Sequence, residues 1–193
     1  MSVCAWGLMR MCGSVYGGGG ARLLVMGTMD FFIPTDDVMY CFMHRRGDRV
    51  VVIDEMNDYY DLRLKHYNLS ILKSSYDSDK LAVYNGDICD DNFLEEIFKK
   101  EALTHIIHLA ARAGVRPSIH DPSLYVRTNV DGTSKLLDLA RKFDIKNFVF
   151  ASSSSVYGGS LKSKLFVCVC DLLLLVETNV LMCYMLIDMC RRA

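Results

Sequence analysis

Residues 146–158 read Lys-Asn-Phe-Val-Phe-Ala-Ser-Ser-Ser-Ser-Val-Tyr-Gly, so that a short apolar run leads into four serines and a turn. Phe148, Val149 and Phe150 are typical of a buried parallel strand, because such strands are nearly continuous apolar runs. Ligands of open α/β sheets bind at the carboxyl ends of the strands, so these serine hydroxyls are expected at a ligand-binding edge. A serine-rich exit from a strand into a loop is an equally good interpretation of these residues alone.

Outward from this stretch, residues 21–158 alternate between strand and helix patterns. The predicted strands are 21–26, 49–54, 82–84, 104–109 and 146–152, and the predicted helices are 35–46, 60–73, 91–100 and 123–142. Strands that alternate with helices form right-handed βαβ units around a parallel sheet. We therefore predict a doubly wound, Rossmann-type α/β sheet of about five strands in the order 3-2-1-4-5.

The composition excludes several classes of protein. With 51% hydrophobic and 23% charged residues, the chain has enough apolar side chains for a full core and is not disordered by composition. A net charge of -1 argues against a nucleic acid or an anionic membrane as the partner. The eight cysteines include no Cys-x-x-Cys pair and none has a histidine at zinc-site spacing, so we expect no metal site and a reducing, cytoplasmic location.

Asp54 ends the second predicted strand. A carboxylate at this position can accept hydrogen bonds from both ribose hydroxyls of an adenosine, and it would repel a 2′-phosphate. In the βαβ context Asp54 therefore favours NAD over NADP, although an aspartate at a strand end is also a common turn residue. We accordingly divide the chain into an N-terminal extension (1–20), a Rossmann-type NAD-binding domain (21–158) and an apolar tail (159–193).

The ends of the chain carry no clear targeting signal. Residues 1–20 are rich in glycine and methionine but lack the basic start, apolar run and cleavage site of a signal peptide. The apolar tail is interrupted by Asp171, Glu177 and Asp188, whereas a spanning helix needs about 20 consecutive apolar residues, so a membrane role is not favoured. The tail shows no strand–helix alternation and is not assigned to the sheet.

Several motifs follow in the order found in one enzyme family. They are Asp54, Asp87-Ile88 after the third strand, Leu109-Ala110-Ala111 after the fourth, Asn129 on the long helix, and Ser153 in the serine string. This set resembles the NAD-dependent nucleotide-sugar epimerase/dehydratase family, which belongs to the extended short-chain dehydrogenases/reductases. The run Asn57-Asp58-Tyr59-Tyr60-Asp61 is similar to that of UDP-glucuronate 4-epimerases in particular. The resemblance implies an isomerase that oxidises and reduces C4 of a UDP-sugar through NAD.

The resemblance also implies a role for each site residue. Gly27 and Ile33 belong to the first strand-to-helix turn beside NAD. Asp87 would accept a hydrogen bond from the adenine amine and Ile88 would pack on the ring, although the pair also suits a plain turn. Leu109, Ala110 and Ala111 would let the backbone approach the cofactor. Asn129 would steady the active site, and Ser153 would hydrogen-bond the sugar hydroxyl that is oxidised. Arg116 would face the substrate diphosphate or lie in solvent, and His108 fits a packed strand residue better than a base.

The first turn departs from the family pattern Thr-Gly-x-x-Gly-Phe-Ile-Gly. Gly27 is present, but Asp30 and Pro34 replace the second and third glycines. Asp36 and Asp37 then fall in the first turn of the following helix, where free N–H groups normally bind the pyrophosphate. Because resident carboxylates occupy these groups and repel an anion, we expect weak NAD binding or none.

The catalytic base is the second departure. The family uses a Tyr-x-x-x-Lys pair on the helix after the serine strand, where the lysine lowers the pKa of the tyrosine. No such pair follows Ser153, and Tyr76 with Lys80 lies in a polar loop before the third strand. The part of the family fold that grips the sugar nucleotide is also missing, so we expect impaired activity.

Two alternatives remain open at this point. One is a non-catalytic nucleotide-binding or interaction module. By the resemblance, family members form a homodimer through the helix at 123–142 and the helix after it. Since that second helix is missing here, an apolar face would be left for a partner or a second copy unless residues 159–193 cover it. The other is a fragment from a faulty gene model, in which residues 1–20 and 159–193 are translated non-coding sequence.

Overall fold

The computed structural model describes residues 20–27, 46–59, 61–145, 147–152 and 180–184, and these form a six-stranded parallel sheet. The strands are β1 (Arg22–Met26), β2 (Arg49–Asp54), β3 (Leu81–Asn85), β4 (His105–His108), β5 (Asn147–Ser152) and β6 (Val180–Tyr184). Their spatial order is β3-β2-β1-β4-β5-β6. The predicted order 3-2-1-4-5 is therefore confirmed. The sixth strand pairs with β5 and comes from the tail, which the sequence pattern did not assign to the sheet.

The central strands form because their side chains are apolar on both faces. In β1 and β2, Leu24, Val25, Val51 and Val52 are completely buried. Leu24 pairs with Val51 on one side and with Ile106 of β4 on the other. Such two-sided burial requires helices on both faces, as the alternation of strands and helices predicts.

The helices begin and end at recognisable residues. They are α1 (Leu62–Ser75), α2 (Asp91–Glu101), α3 (Val115–His120), α4 (Pro122–Val126) and α5 (Gly132–Lys142), with a π-helical turn at Arg127–Asp131 between α4 and α5. Asp61 caps α1 by accepting from the N–H of Arg63, so α1 starts later than the predicted residue 60. The predicted helix at 123–142 is interrupted by the π-turn, and the one at 35–46 lies almost wholly outside the described residues.

Two hydrophobic clusters cover the two faces of the sheet. Leu23 and Val25 of β1 point into the cluster that includes Leu72 of α1. Leu24 and Met26 point into the other cluster, which contains residues of α2 and α5. The sheet is therefore doubly wound, and the winding reverses between the neighbouring strands β1 and β4. A crevice is expected outside the carboxyl ends of the strands at such a point.

Candidate functional site

A cleft lies at the carboxyl ends of β1, β2 and β4 and encloses a cavity of about 50 Å³. Its lining consists of Gly27, Ile53, Asp54, Glu55, Asn57, Gly86, Ile88, Ala110, Ala111, Arg112 and Thr128. The fold thus brings together five of the residues predicted for the site: Gly27, Asp54, Ile88, Ala110 and Ala111. Leu109, Asp87 and Asn129 adjoin them in the chain or through hydrogen bonds. The other two, Ile33 and Ser153, lie outside the described residues, as do the replacements in the first turn.

The floor of the cleft is a close backbone contact. Gly27 has a φ of +74°, and a Cβ at this position would lie 2.4 Å from the Cα of Ala110. The N–H of Gly27 donates to the carbonyl of Ile53 at 2.9 Å, and the N–H of Leu109 donates to that of Met26 at 3.1 Å. Only glycine satisfies both the dihedral angle and the contact. The small residues predicted at the end of β4 therefore let the chain after β4 pack against the chain after β1.

Asp54 forms an ion pair with a buried lysine. Its Oδ1 accepts a hydrogen bond from the N–H of Met56 at 2.7 Å and lies 3.7 Å from Nζ of Lys65. The same ammonium donates to Oδ1 of Asn57 at 3.3 Å. The sequence pattern gave no indication of Lys65, because a lysine in the first turn of a helix is normally solvent-exposed.

Asp87, which stands between the lining residues Gly86 and Ile88, carries an ionised carboxylate. Its Oδ1 accepts from the N–H of Cys89 at 2.8 Å, and its Oδ2 accepts from Nη2 of Arg127 at 2.7 Å. Burial alone would raise the pKa of Asp87, but the Cys89 N–H and the Arg127 guanidinium bring it below its usual range. Ile88 beside it is 5% exposed and packs against Gly132, where a Cβ would lie 2.8 Å from Cδ1 of Ile88. Gly132 therefore allows the long helix to approach the cleft.

The loop after β4 is fixed by hydrogen bonds from two sides. Asn129, in the π-turn, accepts from the N–H of Arg112 at 2.7 Å and donates to its carbonyl at 3.0 Å. The hydroxyls of Tyr59 and Tyr125 both donate to the carbonyl of Ala113, at 3.0 and 2.6 Å. The side chain of Arg112 forms an ion pair with Glu55 in the loop after β2. These contacts join the loop after β4 to the π-turn and to the loop after β2.

His108 is a packed strand residue with a neutral ring. It is 1% exposed, and its Nε2 lies 2.9 Å from Oγ1 of Thr133. The hydroxyl of Thr133 donates its single hydrogen to the carbonyl of Asn129, so Nε2 of His108 must be the donor. Its Nδ1 has no hydrogen-bond partner among the described residues, and burial lowers the pKa of His108 to about 4. Neither His108 nor the exposed Arg116 lines the cleft.

Residues 38–165 match the family model described as GDP-mannose 4,6 dehydratase, which covers more than half of the chain. Among curated proteins, the UDP-glucuronate 4-epimerase of Thermodesulfobacterium geofontis is 42% identical over 118 residues, which are 61% of this chain and 36% of that protein. UDP-glucuronate 4-epimerase 1 of Arabidopsis thaliana is 37% identical over 150 residues, 77% of this chain and 33% of that protein. The chain thus spans about a third of the length of these relatives.

Among solved structures, a dTDP-glucose 4,6-dehydratase double mutant from Streptomyces venezuelae, crystallised with NAD, shares the fold with a TM-score of 0.60. The two chains are 29% identical, and the match covers 74% of this chain and 42% of the other. Within the described part of the chain, no helix has both the length and the apolar character needed to cross a membrane.

Proposed function

Because this chain belongs to the NAD-dependent nucleotide-sugar epimerase/dehydratase family, we propose that its cleft binds NAD and that a UDP-sugar is the substrate class of the complete site. One observation carries the proposal: the reversal of winding between β1 and β4 brings Gly27, Asp54, Ile88 and Ala110 to one cleft. These residues come from four separate stretches of the chain.

The residues in and beside the cleft have side chains that would suit an adenosine diphosphate. Asp54 would accept from the ribose hydroxyls, and the ionised Asp87 would accept from the exocyclic amine of the adenine. Ile88 supplies an apolar surface for the ring, and the contact of Gly27 with Ala110 leaves backbone where a diphosphate would approach. NAD, when bound, supplies the acceptor and donor of the C4 hydride.

The reaction that fits the relatives is 4-epimerisation of UDP-glucuronate or UDP-glucose. Ser153 directly follows β5 in the sequence and would hydrogen-bond the reacting sugar hydroxyl. The chain carries no Tyr-x-x-x-Lys pair after Ser153 to act as the base, and its first turn lacks two glycines. We therefore propose that epimerase activity of these 193 residues alone is impaired and that NAD affinity is weak.

Titration calorimetry of the purified chain with NAD tests the cofactor, and chromatography of UDP-glucuronate after incubation with chain and NAD tests the reaction. We expect a dissociation constant well above the micromolar range and no measurable epimer. Micromolar affinity would contradict the weak binding, and turnover would contradict the impairment. No binding at millimolar NAD, checked by NMR titration, would overturn the NAD site itself.

A second candidate function is a non-catalytic module that pairs with another copy of this chain. Val126, Val130 and Leu137 lie between residues 123 and 142 and are 54%, 56% and 40% exposed, and Ile119 on α3 is 73% exposed. We propose that the apolar side chains of 123–142 meet those of a second copy in a homodimer. Sedimentation equilibrium should show a dimer that Val130→Lys weakens, while Lys73→Met on α1 leaves it intact. A monomer at high micromolar concentration would refute the dimer.

A further inference from the structure

Lys65 is one of the most deeply buried side chains in the described part of the protein, with an exposure of 1%. It lies in the first turn of α1, below the loop that follows β2. Lysine is almost never fully buried unless it is paired, because removing its ammonium from water is unfavourable by several kcal/mol. A lysine at this place therefore needs a specific role for its charge.

Two residues of the cleft wall are among the partners of the ammonium. Nζ lies 3.7 Å from Oδ1 of Asp54 and 3.3 Å from Oδ1 of Asn57. Both partners line the cleft, whereas Lys65 itself does not. Between them stands Met56, whose φ of +50° makes a tight turn and whose N–H donates to the same Asp54 oxygen. Lys65 thus joins the two ends of this turn without lining the cleft itself.

We propose that Lys65 is a positioning residue, which fixes the Asp54 carboxylate and the Asn57 amide in the orientation that receives the ribose hydroxyls of an adenosine nucleotide. This inference rests on the proposed NAD site. Lys65 acts through Asp54 and Asn57 and does not touch the nucleotide.

The other ion pairs in and beside the cleft differ from that of Asp54 in how exposed their cations are. Glu55 pairs with Arg112, and Asp87 pairs with Arg127, whose side chains are 18% and 51% exposed. Both arginines keep part of the side chain in water, whereas the side chain of Lys65 is 1% exposed. Of these three ion pairs, that of Asp54 is the one whose cation is fully removed from solvent.

The test compares adenosine 5′-monophosphate with its 2′,3′-dideoxy analogue, using NMR titration of the full chain. Because a hydrogen bond to a charged group is strong, we expect the wild-type chain to prefer the nucleotide with both hydroxyls by about tenfold or more. Lys65→Met should reduce this preference to about twofold, since hydrogen bonds to a misoriented acceptor are weak. Lys73→Met, an exposed lysine on the same helix, should leave the preference unchanged.

The outcomes separate this inference from the NAD site. If Lys65→Met weakens both nucleotides equally and keeps the preference, Lys65 is a general stabilising residue and the positioning role is wrong. If the wild-type chain binds neither nucleotide, the NAD site and this inference both fail. If Lys65→Met does not fold, Lys65→Gln, which retains a hydrogen-bond donor, is measured in the same way. A tenfold preference in that variant would overturn the role of the charge.

Discussion

The buried His108 makes the stability of this fold depend on pH in a calculable way. Its ring is neutral in the folded chain, with Nε2 bonded to Thr133 and Nδ1 without a partner among the described residues. Burial lowers the pKa of His108 from 6.5 to about 4. The ring of His108 is therefore protonated near pH 6.5 in the unfolded chain but only near pH 4 in the folded chain. The stability that the neutral ring contributes to the folded state is fully present above pH 6.5. It is lost as the pH falls from 6.5 toward 4.

The magnitude follows from linkage between proton binding and unfolding. A difference of about 2.5 pKa units corresponds to roughly 3 kcal/mol once the pH is below both values. Between pH 7 and pH 5 the same two values give a loss of about 2 kcal/mol in the free energy of unfolding. Half-buried His105, whose pKa burial also lowers, adds to the loss in the same direction.

Urea unfolding at pH 7, 6 and 5 measures this loss, and His108→Gln isolates the share of one ring. Glutamine is uncharged throughout and keeps a donor for Thr133, so the variant should lose about 2 kcal/mol less than the wild type between pH 7 and pH 5. His66→Gln, which changes an exposed histidine of α1, is the control. If wild type and His108→Gln lose the same free energy of unfolding over this range, the buried neutral ring is not the cause.

Two further substitutions test the cleft. Gly27→Ala should lower the free energy of unfolding by about 3 kcal/mol or more. The new Cβ would clash with the backbone of Ala110, and alanine is also strained at this positive φ. Gly20→Ala, where φ is +94° and nothing lies within 4 Å, should show only the dihedral penalty, and equal effects of the two would contradict the contact. Asn129→Ala should lower the free energy of unfolding by about 2 kcal/mol and speed hydrogen exchange in the loop after β4. Exposed Asn92→Ala should change neither quantity, and unchanged exchange in Asn129→Ala would show that the loop is held without it.

The sheet could be predicted because its signals are local. Continuous apolar runs such as 49–54 are recognisable without knowing their neighbours, and the alternation with helices fixes the parallel order. The sixth strand escaped prediction because Val180–Tyr184 lies in an apolar tail with no amphipathic pattern around it. The π-turn also escaped, because one extra residue hardly disturbs the apolar spacing of a long helix.

The site could be predicted only where a motif recurs at strand ends. Asp54 ends one strand and Ala110 comes just after another, so their convergence was foreseeable from the topology alone. The roles of Lys65 and Arg112 were not foreseeable, because they depend on burial and on ion pairs between distant parts of the chain. Lys65 pairs with Asp54, 11 residues away, and Arg112 pairs with Glu55, 57 residues away. Spacing along one helix or one loop contains no information on such contacts.

The π-turn at Arg127–Asp131 has a consequence for how this helix tolerates changes in length. The N–H of Gly132 donates to the carbonyl of Arg127, five residues back, so the turn contains one residue more than an α-helix would use. Each α-helical residue advances the chain by about 100° around the axis. Because the widened turn takes up the extra residue, deleting one residue here would restore regular winding without a large rotation of α4 against α5. The helix can therefore accept or lose one residue at this turn, which is also where Asn129 reaches the loop after β4.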